Sequence, residues 1–204
     1  MQNLASPPIV LASSSAYRRE LLNRVLRDFE TVSPNVDESR LDGEDPAALV
    51  ARLARDKAEA VSARFRDGLI IGADQIAVLD ERILGKPGDH ATAVDQLMAA
   101  SGKTVRFLTA VCVLDSPERL RYEHIDETIV RFRRFDRRLA DVYLHHDEPY
   151  DCAGSFRVEG AGVVLFDAVE TEDPTALIGL PMIWLSARLL ELGCLLPGAG
   201  DAGL

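Results

Sequence analysis

The stretch Leu69-Ile70-Ile71-Gly72-Ala73-Asp74 places one carboxylate directly after a short apolar run. An apolar run of this length that stops at a glycine is typical of a buried strand, so we predict strands over residues 69–73 and 76–79. Asp74 is then expected at the tip of the first strand, where α/β enzymes often present catalytic groups. Taken alone, these residues favour an aspartate that only starts a turn, so a catalytic interpretation depends on the rest of the chain.

Strand-like and helix-like patterns alternate on both sides of this stretch. The clearest helix start is Asp45-Pro46, an N-cap residue followed by a proline at the first helical position. The apolar periodicity predicts helices over residues 16–26, 46–65, 89–100, 136–146 and 182–192. It predicts further strands over residues 10–12, 29–33, 105–114, 121–135 and 163–166. Because the first half alternates and the middle resembles a hairpin, we predict an α/β fold with a mixed sheet flanked by helices.

The length and composition are those of an ordinary globular protein. The chain has 204 residues, of which 47% are apolar and 27% charged, without a repeat or a low-complexity linker. We therefore predict one domain over residues 1–196 and a flexible tail over residues 197–204. No apolar run approaches the roughly 20 residues that cross a bilayer, and residues 1–15 lack the features of a secretory signal.

Charge and cysteine content restrict the partners and the compartment. The net charge of −10 argues against broad binding to nucleic acid or to an anionic membrane. A small polyanionic ligand stays compatible, because a few basic side chains or a divalent metal can reverse the field within one site. Cys112, Cys152 and Cys194 form no CxxC pair, which predicts a reduced, cytoplasmic protein without a structural zinc site.

One arginine occupies an apolar position in the first predicted helix. Arg18 falls in the middle of the inward stripe and follows a serine-rich turn, Ser13 to Ser15. Helix N-terminal N–H groups together with an arginine fork suit a phosphate. A guanidinium that reaches water while its stem packs against the core explains the pattern equally well. The stripe itself consists of Leu21, Leu22, Val25 and Leu26.

Two lysines and a glutamate show a similar anomaly. Lys57 lies at the centre of the apolar stripe of the long predicted helix, at four-residue spacing from Leu53 and Val61. Lys86 is held in a tight loop between Gly85 and Pro87, and Glu38 lies in the polar loop over residues 34–45. Singly, each is more often a solvated charge. Together with Arg18, the serines and Asp74, they are typical of a site for a polyphosphate and a divalent cation.

The stretch from Leu11 to Leu22, read as LASSSAYRRELL, resembles the signature of the Maf family of nucleotide pyrophosphatases. The family usually has proline where this chain has Ala16, a departure that leaves the serines and Arg18 in place. Further matching motifs follow in the family's order through nearly the whole chain. They are Val36–Glu38, Ala54–Ala58, Gly72–Gln75, Leu84–Pro87, Tyr150–Gly160 and Leu177–Pro181.

The resemblance implies a fold, a reaction and roles for residues. The expected fold is an elongated mixed sheet related to inosine triphosphate pyrophosphatases, with a cleft between two lobes. The expected reaction is hydrolysis of a nucleoside triphosphate to the monophosphate and diphosphate, with Mg²⁺ or Mn²⁺ as the divalent metal cation. Asp74 is the expected proton acceptor, or a metal ligand, and Glu38 a second metal ligand. The expected phosphate-binding residues are Ser13, Arg18, Lys57 and Lys86.

Three positions track substrate choice within the family, and this chain has Tyr17, Gln75 and Glu159 there. An aromatic residue, glutamine and glutamate resemble the branch that acts on 7-methyl-GTP. A carboxylate can accept from the N1–H and 2-amino groups of guanine, and a cationic methylated base favours stacking on an aromatic ring. Without the family pattern, Tyr17 is an ordinary half-buried aromatic and Glu159 an acid in a turn.

Two other functions stay open at this point. One is a Maf pyrophosphatase of the type that acts on dTTP and UTP, which typically has arginine, threonine and glutamine at the three positions. The other is a non-catalytic nucleotide-binding regulator of septum formation, against which the retained Asp74, Lys57 and Lys86 argue. In each case the partner is a small-molecule nucleotide, with no nucleic acid and no membrane. The sequence does not fix the oligomeric state, and a homodimer is one alternative.

Overall fold

The structure is a computed structural model that describes residues 7–194 of the chain. The predicted tail over residues 197–204 lies outside the described residues. Within them, the chain forms five α-helices: α1 Ala16–Asn23, α2 Pro46–Ser62, α3 His90–Ala100, α4 Arg137–Asp147 and α5 Met182–Glu191. It also forms seven strands: β1 Ile9–Ala12, β2 Glu30–Thr31, β3 Leu69–Leu79, β4 Arg82–Leu84, β5 Thr104–Asp115, β6 Leu120–Phe132 and β7 Phe166–Glu170.

The helices begin where the sequence predicts. Asp45 caps α2 by accepting hydrogen bonds from the backbone N–H groups of Ala47 at 2.9 Å and Ala48 at 3.1 Å, and Pro46 takes the first helical position. Asp89 and Asp136 cap α3 and α4 in the same way. These N-caps satisfy backbone donors that have no partner within the helix. The first two helices end earlier than predicted, at Asn23 and Ser62.

The strands form a mixed sheet in the order β2-β1-β3-β5-β6-β7, with β4 paired to β3. Strand β1 pairs in parallel with both β2 and β3, whereas β3 with β4 and β6 with β7 are antiparallel. The prediction of an α/β fold with a mixed sheet and flanking helices is therefore confirmed. The strand predicted over residues 29–33 is shorter, since it covers only Glu30–Thr31.

The prediction that Asp74 lies at the tip of a strand is wrong. Residues 69–73 and 76–79 belong to one continuous strand, β3, and Asp74 lies in its middle. The parallel neighbour β1 ends first, because Ala12 pairs with Gly72. Asp74 therefore lies two residues beyond the last residue of β3 that pairs with β1. At that level β1 has already ended, and its chain has entered the serine-rich turn.

The prediction of a strand over residues 163–166 is also wrong. The chain forms a 3₁₀ turn over Ala161–Leu165, and the strand β7 begins only at Phe166. The N–H of Ala161 donates to the Asp147 carboxylate at 2.9 Å, which holds the turn. Gly162 and Leu165 are buried within the turn, while Val163 and Val164 stay exposed, so the apolar run does not mark a buried strand.

The chain divides into two compact units. The first contains the chain up to Asp74, Ala110–Ile125 and the chain from Gly179 onward, and the second contains Gln75–Thr109 and Asp126–Ile178. Buried residues of β1, α1, α2, the start of β3 and α5 form the core of the first unit. Residues of α3, α4 and the adjoining strands, with Phe107, Phe132, Phe156 and Phe166, form the core of the second.

The described residues contain no helix that is both long enough and apolar enough to cross a membrane.

Candidate active site

A buried lysine joins two carboxylates in the first unit. Lys57 Nζ lies 2.6 Å from Asp74 Oδ1 and 2.7 Å from Glu38 Oε1. Lys57 and Asp74 are 6% and 7% exposed, whereas the Glu38 side chain is 59% exposed. Helix α2 supplies the lysine, strand β3 the aspartate and the loop before α2 the glutamate. The cluster combines one cationic and two acidic side chains, and each carboxylate keeps a second oxygen outside these two contacts.

Gly72 allows β3 to approach α2 closely. A Cβ atom at this position would lie 2.1 Å from the carbonyl oxygen of Ala54 and 2.7 Å from the backbone nitrogen of Ala58. Both atoms belong to the backbone of α2, so no side-chain adjustment could relieve the overlap. Glycine at this position thus sets the spacing at which Lys57 meets Asp74.

Arg18 points inward, as its position in the apolar stripe predicts. Its Nη1 donates to the carbonyl oxygen of Ala73 at 2.9 Å, and its Nε donates to the carbonyl oxygen of Gly179 at 3.0 Å. Ser13 Oγ lies 3.5 Å from the same Nη1. Burial lowers the pKa of the guanidinium, and the negative charges of Asp74 and Glu38 act in the opposite direction. Arginine stays protonated under these conditions, so this is a fixed positive charge beside Asp74.

A polar cavity lies at the N-terminus of α1. It has a volume of about 150 Å³ and is lined by Ser13, Ser14, Ser15, Arg19, Thr31 and Ser33. Hydroxyl groups, one guanidinium and the start of a helix together suit an anionic oxygen ligand. Arg19 is not among the residues predicted from the sequence to bind phosphate. Its place directly after Arg18 is the only local signal that could have pointed to it.

Gln75 is anchored within the second unit. Its Nε2 lies 2.9 Å from Thr109 Oγ1, 2.9 Å from the carbonyl oxygen of Ala176 and 3.1 Å from that of Leu177. Carbonyl oxygens only accept hydrogen bonds, so these contacts fix which end of the amide is the nitrogen. The side-chain oxygen Oε1 takes no part in these contacts and can act only as an acceptor.

Lys86 lies on an exposed loop that is held by a hydrogen bond on each side of the lysine. The backbone N–H of Gly88 donates to the carbonyl oxygen of Tyr150 at 2.9 Å. The carbonyl oxygen of Gly85 accepts from Gln96 Nε2 at 3.2 Å, and Gln96 Oε1 accepts from Ser155 Oγ at 2.6 Å. Gln96 thus connects the Lys86 loop with the Cys152–Phe156 stretch. No local pattern in α3 marks this residue, so it cannot be predicted from the sequence.

Glu159 is exposed in a loop that α4 holds in place. Asp147, at the end of α4, accepts from the N–H of Ala161, and Tyr143 Oη accepts from the N–H of Arg157 at 2.9 Å. A Cβ atom at Gly160 would lie 2.5 Å from an Asp147 oxygen, so a side chain directly after Glu159 would displace the carboxylate that holds this loop. Burial raises the pKa of Tyr143, which keeps this hydroxyl protonated at neutral pH.

The family model of Maf-like proteins matches residues 8–192. The chain belongs to the Maf family. A protein of Xanthomonas axonopodis named 7-methyl-GTP pyrophosphatase is 51% identical over 191 residues, covering 94% of this chain and all of the relative. Proteins of the same name from Pseudomonas aeruginosa and Cupriavidus metallidurans are 48% and 46% identical. They cover 94% and 95% of this chain, and 100% and 97% of their own lengths.

A solved structure shares the Maf chain's fold at low identity. The structure of a HAM1 protein from Coxiella burnetii matches with a TM-score of 0.50 and 15% identity, covering 91% of this chain and 99% of that one. At this identity the likeness concerns the fold alone.

The structure distributes the predicted Maf site residues over the two units. Ser13, Tyr17, Arg18, Glu38, Lys57 and Asp74 belong to the first unit. Among them, contacts join Glu38, Lys57 and Asp74, and separately Ser13 and Arg18. Tyr17 is half-buried at the start of α1. Gln75, Lys86 and Glu159 belong to the second unit, where Gln75 is bonded through its own amide and the other two lie on loops held by neighbouring residues.

Two carboxylates of this candidate site have the chemistry for a divalent metal. Asp74 and Glu38 both contact one ammonium group, so their contacting oxygens lie near each other. The described residues contain no group of three or more histidine, cysteine, aspartate or glutamate side chains arranged to hold a metal ion. Mg²⁺ in phosphoryl-transfer sites commonly takes one or two carboxylates and completes its shell with water and substrate phosphates. The donor set fits a metal of this kind.

Proposed function

We propose that this Maf-family chain hydrolyses 7-methyl-GTP to 7-methyl-GMP and diphosphate. The observation that carries the proposal is Lys57, buried 2.6 Å from Asp74 and 2.7 Å from Glu38, with the Arg18 guanidinium bonded to the residue before Asp74. Relatives of this name, 46% to 51% identical over nearly the full length, support the substrate. The reaction class is hydrolysis of an acid anhydride.

The proposed reaction is attack of water on the α-phosphorus. The bond from the α-phosphorus to the oxygen bridging the α- and β-phosphates breaks, and diphosphate leaves with the bonding electron pair. Asp74 accepts the proton of the attacking water. Lys57 holds one oxygen of this carboxylate at 2.6 Å, which orients the other oxygen for that task. Removing Asp74 as a base should cost about 10²- to 10⁴-fold in rate.

Fixed positive charges support the departure of diphosphate. Arg18, Lys57 and Lys86 are proposed to bind phosphate oxygens, with Ser13 as a hydroxyl partner. Glu38 would hold a divalent cation, Mg²⁺ or Mn²⁺, with Asp74 as a metal ligand in the alternative to its role as base, and the cation would supply further positive charge to the phosphates. Positioning and charge stabilisation are the main contributions that a protein makes to phosphoryl transfer.

Three side chains are proposed to recognise the base. Glu159 would accept from the N1–H and 2-amino groups of guanine, and Tyr17 would stack on the cationic 7-methyl ring. Gln75 adds an acceptor, because its nitrogen is bonded to carbonyl oxygens of Ala176 and Leu177. Acceptors and an aromatic ring match a cationic base that presents donors.

The proposed setting is the cytoplasm, with a free nucleotide as the partner. The three cysteines form no disulfide, in keeping with a reducing compartment. The net charge of −10 supports a small ligand over nucleic acid.

The test is diphosphate release by the purified protein with Mg²⁺ or Mn²⁺. The substrates are 7-methyl-GTP, GTP, dTTP, UTP and CTP, with Asp74→Asn as the control for the site. We expect preference for 7-methyl-GTP and loss of activity in the variant. Preference for dTTP or UTP would overturn the specificity and keep the reaction. Activity on none of the five would favour a non-catalytic nucleotide-binding protein.

A further inference from the structure

The loop that carries Glu38 has no regular structure of its own. Between β2 and α2, residues 32–45 form neither helix nor strand. Glu38 nevertheless lies 2.7 Å from the buried Lys57 Nζ, although its side chain is 59% exposed. A surface loop of this length keeps one residue in a fixed place only where side chains tie it down. The position of Glu38 therefore depends on how the loop is held against α2.

Arg52 of α2 holds this loop at two points. Its Nε and Nη2 donate to the two carboxylate oxygens of Glu44 at 2.7 Å and 2.9 Å, a bidentate pair. Nη2 also donates to the carbonyl oxygen of Ser39 at 2.9 Å, directly after Glu38. Nη1 donates to Asp56 on the same helix at 3.2 Å, which orients the guanidinium. A planar fork with fixed donor directions is what such an arrangement requires.

Glu44 closes the segment between these two points. Its Oε2 accepts from the backbone N–H of Leu41 at 3.1 Å, and its carbonyl oxygen accepts from Arg40 Nε at 2.6 Å. The N–H of Glu44 donates back to the carbonyl oxygen of Leu41 at 3.1 Å. Residues 39–44 thus form a closed turn, and Arg52 fastens both ends of that turn to α2.

Arg52 itself is engaged by the protein. Four of the five N–H donors that an arginine carries are directed at Glu44, Ser39 and Asp56. Its positive charge is balanced by two carboxylates of the same cluster. An arginine in this state has little capacity left for a phosphate, so any effect on the reaction passes through the loop.

We propose that Arg52 is a positioning residue that keeps Glu38 beside Lys57. The inference rests on the proposed function, because it assigns Glu38 a task at the phosphate and metal site. Arg52 does not touch the substrate. It fixes the chain at Ser39, one residue from Glu38, and at Glu44, and so limits the positions that the Glu38 carboxylate can take.

The test compares Arg52→Met, Arg52→Lys, Glu38→Gln and the double variant Arg52→Met with Glu38→Gln. The first readout needs neither metal nor substrate: limited trypsin digestion, with the peptide cut after Arg40 quantified by mass spectrometry. Local release of the loop exposes this bond, so we expect cleavage there to rise about tenfold in both Arg52 variants. Lysine keeps the charge but cannot form the bidentate contact, so Arg52→Lys should not restore protection.

The second readout is the kinetics with 7-methyl-GTP at varied Mn²⁺. We expect Arg52→Met to raise the Mn²⁺ concentration for half-maximal activity about tenfold. In the double variant, Arg52→Met should raise this concentration hardly further than Glu38→Gln alone, because both changes act through one carboxylate. Arg121→Met is the matched control. It removes an exposed arginine of β6 that pairs with Glu59, on the helix α2 that also carries Arg52, at 2.7 Å. Glu44→Gln, which keeps Arg52, should change cleavage and kinetics in the same direction.

The outcomes separate the two proposals. Wild-type kinetics in Glu38→Gln would overturn the role of Glu38 within the proposed function. If Glu38→Gln loses activity while both Arg52 variants keep the wild-type trypsin cleavage and the wild-type Mn²⁺ dependence, only the positioning role of Arg52 is overturned. Losses that multiply in the double variant would show that Arg52 acts independently of Glu38, and would likewise overturn it.

Discussion

Lys57 and Asp74 form an ion pair whose donor and acceptor atoms lie 2.6 Å apart, with both side chains at most 10% exposed. Removing two charges from water is costly, and such a pair is maintained only where geometry and further hydrogen bonds are favourable. Here the second carboxylate, Glu38, contacts the same ammonium. The arrangement gives the buried Asp74 carboxylate, the proposed proton acceptor, a cationic partner within hydrogen-bond distance.

Removing Lys57 should therefore lower the stability of the fold as well as the activity of the protein. In Lys57→Met, Asp74 is left buried without its partner, and we expect a loss of about 3–5 kcal/mol in the free energy of unfolding. Arg121→Met, which breaks an exposed pair, should cost about 0–1 kcal/mol. Urea unfolding of both variants provides the comparison. Equal losses of unfolding free energy in the two variants would contradict the conclusion that Lys57→Met leaves Asp74 buried without a partner.

The close approach of β3 to α2 can be tested at Gly72. The added Cβ of Gly72→Ala meets backbone atoms of Ala54 and Ala58, so the strand and helix have to move apart. We expect a loss of at least about 1–3 kcal/mol in the free energy of unfolding. Gly85→Ala is the control for stability, because a Cβ there meets nothing within 4 Å. A Gly72→Ala protein as stable as Gly85→Ala would show that the contact is not tight.

Much of this arrangement can be predicted from local sequence, because its signals are local. Lys57 interrupts an apolar stripe with regular helical spacing, which marks it as unusual in the sequence, and the structure shows that it is buried. Asp45-Pro46 fixes the start of α2 by its own chemistry. Arg52 bonds to Ser39 on a loop of irregular structure, and Gln96 bonds to Ser155, which is distant in sequence. No periodicity in the sequence marks contacts of these kinds. Helical spacing alone does not distinguish Arg52 and Gln96 from solvated surface residues.

The same limit explains the two wrong strand predictions. An apolar run predicts burial, but whether it becomes a strand depends on a neighbour that offers backbone partners. Residues 163–165 lack the ladder that begins at Phe166, and they form a turn held by Asp147 instead. Asp74 lies within a strand because β3 continues to the hairpin with β4, although its parallel neighbour β1 ends before it.

Glu44 should make stability depend on acid pH. The hydrogen bond from Arg52 lowers the pKa of Glu44 from 4.5 to about 2. A carboxyl whose pKa is lower in the folded state stabilises the fold above the unfolded value of 4.5, and this contribution is lost as the pH falls towards 2. We expect Glu44→Gln to be less stable than the parent at pH about 7, with the difference shrinking between about pH 5 and 2. Unfolding at several pH values measures it, and a constant difference would contradict the pairing.

The three cysteines should differ in reactivity. Burial raises the pKa of Cys112 to about 12 and also raises that of Cys194, so neither thiol forms much thiolate at neutral pH. Cys152 is partly exposed. We expect a chromogenic aromatic disulfide to react with one thiol per native chain, and with all three after unfolding in urea. Cys152→Ala should abolish the native reaction, and rapid labelling of Cys112 in that variant would contradict the burial.

Recognition of the base can be tested at Glu159 with a substrate that lacks one donor. 7-Methyl-ITP differs from 7-methyl-GTP only by the missing 2-amino group, so a carboxylate that accepts from this group should favour 7-methyl-GTP. A hydrogen bond to a charged acceptor contributes about 1.5–3 kcal/mol, which corresponds to a preference of about 10- to 100-fold in kcat/KM. We expect Glu159→Gln to lose most of this preference, because the amide keeps the shape but offers a weaker, uncharged acceptor.

The control for Glu159→Gln is Glu172→Gln, an exposed glutamate of the same unit that lies outside the proposed site. It removes the same charge and should leave the ratio of the two substrates unchanged. A preference lost equally in both variants would point to the overall negative field of the unit instead of a direct contact. A preference that survives in Glu159→Gln would transfer the recognition of the 2-amino group to another acceptor, and Gln75 Oε1 is the candidate, because its amide orientation is fixed by the carbonyl oxygens of Ala176 and Leu177.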